Sequence, residues 1–104
     1  MSRYRLSRLA QADLDNIWLY IASRGSVGGA SRVIHRITEV FPVLARMPRT
    51  GRSRDDIAPD VSSFPVDHYL IYYRTNSEGG IQISRIIHRL RDQRKAWRDQ
   101  SDER

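Results

Sequence analysis

The sequence predicts an α+β domain of element order β-α-α-β-β-β, with a helix hairpin packed on a twisted, mainly antiparallel sheet. Three observations predict it. Apolar residues in the first half recur at three- and four-residue steps. The second half holds β-rich runs separated by turn residues. The breaks between these segments are short enough to fold neighbouring elements back on one another.

The elements follow in order. Tyr4 and Leu6 alternate with Arg3 and Arg5, the period of a half-exposed strand. Ser7 is the expected N-cap of a helix over about residues 8–23, in which Ala10, Leu14, Ile17, Trp18 and Ile21 form one apolar face. Gly25 is placed to end it in a left-handed conformation. A second helix is expected after Gly28-Gly29, carrying Ala30, Val33, Ile34, Ile37, Val40, Phe41, Leu44 and Ala45 as a stripe. Pro42 removes a backbone donor inside that stripe, so a kink or an early end is expected there. Pro48 and Gly51 stop the helical region, and residues 49–60 read as a polar connection.

Three strands complete the body: about Val61–Val66, Tyr69–Thr75 and Ile81–His88. Asp67-His68 and the Asn76-Ser77-Glu78-Gly79-Gly80 loop supply the hairpin turns. The run YLIYYR is apolar on both faces and should be the central strand. The first strand then joins an edge or a slot beside the last. The helix hairpin should cover one sheet face, burying Trp18, Ile21, Ile34, Ile37 and Phe41, and the opposite face is left without a helix of its own. From about residue 90 the chain is a charged tail, expected as a short helix or a flexible end.

A chain of 104 residues makes one domain with a thin core. Seventeen Arg and one Lys against nine Asp and three Glu leave a formal charge of +6, which suits an oxyanionic or acidic partner. The absence of cysteine removes disulfides, thiolate nucleophiles and Cys-type zinc sites. The three histidines are dispersed without ligand spacing, so no metal or other cofactor is expected. Gly28-Gly29 and Gly79-Gly80 read as turns rather than phosphate loops. Neither a leader nor an apolar run of membrane-spanning length is visible, and the expectation is an unprocessed cytoplasmic chain with no membrane partner.

Taken together, these segments resemble the ParE-type toxins of the RelE/ParE toxin–antitoxin superfamily. The opening matches at Tyr4, Leu6, Ser7, Ala10, Asp13, Leu14, Ile17, Trp18 and Tyr20. The middle matches at Phe41, Leu44, Ala45, Pro48, Gly51 and Arg52. The close matches at Tyr73, Arg74, Arg85, Ile86, Ile87, His88 and Asp92. The resemblance implies a RelE/ParE-like fold and the toxin half of a type II pair. It implies a cognate ParD-like antitoxin whose acidic C-terminal segment wraps the toxin in a hetero-oligomer. It also implies growth arrest through DNA gyrase.

The alternative is a ribosome-dependent mRNA interferase of the RelE type. That chemistry needs a base, an acid and cations at the phosphorane, for which Arg52, Arg54, His68, Arg74, Arg85 and His88 are raw material and Arg74, Arg85 and His88 the catalytic candidates. Two departures weigh against it. Nuclease relatives often begin a strand His-Arg-Leu-Val-Tyr, whereas this chain reads His68-Tyr69-Leu70-Ile71-Tyr72. His88 is followed by Arg89 and no tyrosine comes after Tyr73. The expected mode is therefore a non-catalytic one, with Arg85, His88, Arg89, Arg91, Arg94 and Trp97 as target-binding candidates. Plainer roles stand beside these: His88 as a packing residue, Arg85 or Arg89 in a salt bridge to Asp92, and Trp97 folded back onto the body.

Overall fold

A computed structural model describes residues 3–99. Strand β1 spans Tyr4–Leu6, helix α1 Arg8–Arg24, helix α2 Val27–Arg46, strand β2 Arg52–Ser53, β3 Ser62–Val66, β4 Tyr69–Thr75, β5 Ile81–His88, and helix α3 Gln93–Arg98. The sheet order is β1-β5-β4-β3-β2. The pairs β2–β3, β3–β4 and β4–β5 are antiparallel, and β1 lies parallel to β5. The slot beside the last strand is thus the one the first strand takes.

Helix α1 starts as the sequence predicts: the Ala10 N–H donates to Ser7 Oγ at 3.0 Å. Its end differs. Gly25 sits at φ −146°, not in the left-handed region, because the chain passes at once into the extended Ser26 cap of the next helix. Ser26 Oγ accepts from the Gly29 N–H at 2.8 Å, so Gly28 and Gly29 lie inside the first turn of α2 rather than before it. A Cβ on Gly29 would come within 2.9 Å of that hydroxyl. Helix α2 also runs through Pro42 to Arg46. A proline inside a helix costs about 3 kcal/mol, but burying Phe41 and Leu44 beside it returns roughly 1.5–3 kcal/mol each, and both are almost wholly buried.

The helix-side core joins Ala10, Leu14, Ile37, Phe41 and Leu44 to Tyr69, Ile71, Tyr73, Ile83 and Ile86. Trp18, Ile21 and Ile34 are only half-buried, at the rim of the hairpin. The connection 49–60 is more structured than its polarity suggests. It holds a 3-10 turn at Pro48–Thr50 and the short β2, and its backbone is pinned by Tyr73. The Tyr73 hydroxyl donates to Pro48 O at 2.7 Å and accepts from the Gly51 N–H at 2.8 Å. A side chain at Gly51 would collide with that hydroxyl, which explains the glycine there.

The expectation of a bare second sheet face is corrected. Val61, Tyr72, Ile87 and Ala96 form a second buried cluster, with Ile57, Ala58, Leu70 and Trp97 packed against it. Helix α3 and residues 54–60 supply that cover. Helix α3 forms because Asp92 caps it, accepting from the Lys95 N–H at 3.1 Å. None of the helices among the described residues is long and apolar enough to cross a membrane.

Candidate functional site

The six target-binding candidates lie along the end of β5 and in the segment through α3, and the structure divides them into inward and outward groups. Arg85 points inward. A register shift between Tyr72 and Tyr73 marks a bulge in β5, and Arg85 follows it, opposite Tyr72. Its Nε donates to Asp13 Oδ2 at 2.8 Å and its Nη2 to Asp13 Oδ1 at 3.0 Å, a two-pronged pair of the kind guanidinium makes best. Asp13 Oδ2 also accepts the Ile86 backbone N–H at 2.8 Å. Arg85 Nη1 donates to the Ala96 carbonyl of α3 at 3.0 Å. The two side chains are 7% and 13% exposed. One guanidinium therefore ties α1, β5 and α3 together.

This corrects two expectations. Arg85 is not on the surface where a target could meet it, because its charge is spent on Asp13. Nor is Asp92 its partner, since that carboxylate caps α3. Asp13 was legible as a motif residue but not as the partner of Arg85, 72 positions away in the chain.

His88 is half-buried. Its Nδ1 accepts the Leu90 N–H at 3.1 Å, its ring stacks on His68 at 6.0 Å between centroids, and Tyr69 meets it edge-on at 5.2 Å. Burial first, then the nearby Tyr20 and Asp67, push the Tyr69 phenol above its ordinary range, so it stays protonated at neutral pH. Arg74 is not with this group. Tyr69 is the residue opposite His88, and Arg74 lies five positions further along β4, roughly 17 Å away at strand spacing. The three nuclease candidates thus do not converge: Arg74 is remote, Arg85 is neutralised, and His88 is packed between rings.

Arg89, Arg91 and Arg94 are exposed. Arg94 leans on the 54–60 connection, with its Nη2 3.7 Å from Asp56. Arg54 Nε pairs with Asp56 at 3.0 Å and Arg54 Nη1 donates to the Tyr72 hydroxyl at 3.4 Å. That hydroxyl donates to Gln93 Oε1 of α3 at 2.7 Å. The hydrogen bond from Arg54 holds the Asp56 carboxyl below its ordinary range, and Asp56 raises Arg54 in turn. Burial raises the Tyr72 phenol, partly offset by Arg54. Trp97 takes the inward of its two readings: it is half-buried and packs edge-on against Tyr72 at 5.6 Å. Arg52 is exposed on β2.

Beside His88 a cavity of about 390 Å³ opens between α1 and the sheet, lined by Asp13, Asn16, Ile17, Tyr20, Tyr69, Ile86, His88 and Arg91. Tyr20 in that lining is 58% exposed, and its chain neighbour Leu19 on α1 is 59% exposed. Among the described residues, no group of three or more His, Asp or Glu side chains is placed to hold a metal ion.

A helix hairpin on a five-stranded sheet with β1 parallel to β5 is a RelE/ParE-like fold. The solved chromosomal ParDE system of P. aeruginosa contains a chain that superimposes with a TM-score of 0.74 at 24% identity, covering 85% of this chain and 96% of that one. A chain of the toxin–antitoxin complex RelBE2 from Mycobacterium tuberculosis gives 0.64 at 23% identity, covering 85% and 98%. In sequence, residues 4–93 match the family model described as the ParE toxin of the type II toxin–antitoxin system parDE. Toxin ParE1 of Mycobacterium tuberculosis H37Rv is 33% identical over 91 residues, 88% of this chain and 93% of that toxin. Toxin ParE3 of Caulobacter vibrioides is 34% identical over 87 residues, 84% and 86%. The chain belongs to the ParE toxin family of type II toxin–antitoxin systems.

Proposed function

We propose that this toxin arrests growth by binding DNA gyrase without chemistry of its own, and that a ParD-like antitoxin neutralises it. The observation that carries this reading is the division of the cations around β5. Arg85 is locked on Asp13, whereas Arg89, Arg91 and Arg94 stand exposed on and around a short helix fixed to the body. A fixed, charged projection suits recognition by shape and charge. Phosphoryl chemistry would instead need a cation, a base and an acid within reach of one phosphate, and the dispersed Arg74, Arg85 and His88 offer no such set.

The cavity beside His88 supports the antitoxin half of the reading. Apolar side chains of Ile17, Tyr20 and Ile86 with Arg91 in the same lining, where the Asp13 carboxylate is already paired with Arg85, fit an amphipathic, acidic segment. Such a segment would order on the toxin as it binds and raise the stability of a small domain by mass action. Toxin and antitoxin together would form a hetero-oligomer in the cytoplasm.

The test is purified gyrase with plasmid DNA. The toxin is expected to inhibit supercoiling or to accumulate cleaved plasmid, and Arg89→Gln/Arg91→Gln/Arg94→Gln to weaken this at least tenfold while the fold is retained. Unchanged supercoiling at a large molar excess of wild-type toxin would overturn the reading. Cleavage of translated mRNA in primer extension would replace it with the interferase.

A further inference from the structure

We propose that the outer corner where β1, β4 and β5 meet the 76–80 hairpin is an oxyanion site that takes a backbone phosphate of nucleic acid. It lies at the far end of the sheet from His88 and does not rest on gyrase being the target.

The strand register builds it. Arg5 is opposite Gln82, and Gln82 is opposite Arg74, so the three stand in one row across β1, β5 and β4. Their chain neighbours Leu6, Ile81, Ile83 and Tyr73 belong to the helix-side core, so the row faces the other way. Directly opposed Cβ atoms lie about 5 Å apart, so two guanidinium stems bracket one amide across roughly 10 Å. Gly80 keeps β1 in this position. A Cβ there would come within 2.6 Å of Arg3 O, so a larger residue would push β1 off the sheet.

The two arginines are poorly compensated. Arg5 Nη2 is 3.7 Å from Glu78 Oε1, with both side chains mostly exposed, a contact that a stronger anion displaces readily. Arg74 Nη2 reaches the Pro59 carbonyl only at 3.5 Å, and Arg74 Nε has no hydrogen-bond partner among the described residues. A charged donor in that state favours an added anion. A cavity of about 210 Å³ lies over the row, lined by Arg5, Arg74, Gln82, Asn76, Ser77 and Glu78. The hairpin that forms its wall is ordered by Asn76 Oδ1, which accepts the N–H groups of Glu78 and Gly80 at 2.9 and 3.0 Å.

The geometry favours phosphate over carboxylate. Donors approach from both flanks and from Gln82 between them, which matches the several oxygens of a tetrahedral group. A planar carboxylate is satisfied by one guanidinium fork. Arg3, two positions before Arg5, extends the charge outwards, so the corner is a strip suited to a phosphodiester chain rather than a point suited to a lone ion.

The experiment is fluorescence anisotropy of a labelled 20-bp duplex, titrated with the isolated toxin across a KCl series. Each lost phosphate contact lowers the log–log salt slope by about 0.9. Arg5→Gln, at an exposed position that cannot unfold the domain, is expected to lower it by about one. Arg5→Gln/Arg74→Gln is expected to lower it by about two and to weaken binding at least tenfold at low salt. Arg32→Gln/Arg46→Gln removes the same charge from exposed positions on α2 and should leave the slope within about 0.5 of wild type. In competition at matched ionic strength, inorganic phosphate should displace the duplex and glutamate should not. Equal slope losses in the two double variants, equal displacement by glutamate, or phosphate binding without duplex binding would each overturn the proposal.

Discussion

The two faces of the sheet are built on different principles. The helix-side face is sealed by the apolar stripes of α1 and α2, whose Ala10, Leu14, Ile37, Phe41 and Leu44 meet Ile71, Tyr73, Ile83 and Ile86. The outer face has a much smaller buried cluster, centred on Tyr72, Val61, Ile87 and Ala96. What holds its cover in place is largely polar: Arg85 on the Ala96 carbonyl, Tyr72 on Gln93, and the Arg54–Asp56–Arg94 chain. The first face is a consequence of periodicity and area. The second is conditional on charges and hydrogen bonds remaining intact, and it carries Arg94, one of the three arginines proposed to meet the target.

The comparison breaks first if the helix-side face is not the main support. Phe41→Ala removes a ring that is 1% exposed and packs edge-on against Tyr4, and should cost about 3–5 kcal/mol in urea unfolding. A loss below about 1 kcal/mol would show that stability resides elsewhere. The next test concerns a contact that ties α1 to both β5 and α3. Asp13→Asn leaves the buried Arg85 charge uncompensated, and breaking such a pair costs about 3–5 kcal/mol, here at the lower end because Asn still accepts one hydrogen bond. Asp13→Asn/Arg85→Met should recover part of the loss, since it removes the uncompensated buried charge while the introduced amide can still accept the Ile86 N–H. A double variant no better than the single one would mean that the hydrogen bonds to Ile86 and Ala96, not the charge pair, hold the faces together.

That asymmetry also explains what was legible in the sequence. Strands β4 and β5 have the predicted bounds, and α1 differs by one residue, because local period and turn chemistry specify them. The parallel seat of β1 follows from the slot left beside β5. Asp13, Gly51 and Arg85 were visible as motif residues without a reason. Their reasons are tertiary: Asp13 meets Arg85 across 72 positions, and Gly51 admits the Tyr73 hydroxyl from 22 positions away. No period or spacing encodes such pairings. The covered outer face was missed on the same account, since α3 is six residues long and its docking depends on partners in β4, β5 and the 54–60 connection. Arg5, Gln82 and Arg74 become one row only when the strand register is known.

The smallest expected effect sharpens the contrast most directly, because it should move one face and spare the other. The Asp56 carboxyl is held below its ordinary range, chiefly by the hydrogen bond from Arg54. A group depressed on folding stabilises the folded state at pH values above its unfolded pKa, and that contribution fades as pH falls through the folded value. Acidification below about 4 should therefore loosen the tie from residues 54–56 to α3. In a Trp18→Phe background, emission from Trp97 should change over that range as its contact with Tyr72 relaxes. The far-UV signal, dominated by α1 and α2, should hold to lower pH because the Phe41 core contains no titrating group that acid would charge. Asp56→Asn should give the relaxed emission already at neutral pH and flatten the transition. A Trp97 signal that moves only with the far-UV signal would mean the two faces unfold as one unit, and the outer cover would then be as firmly built as the inner.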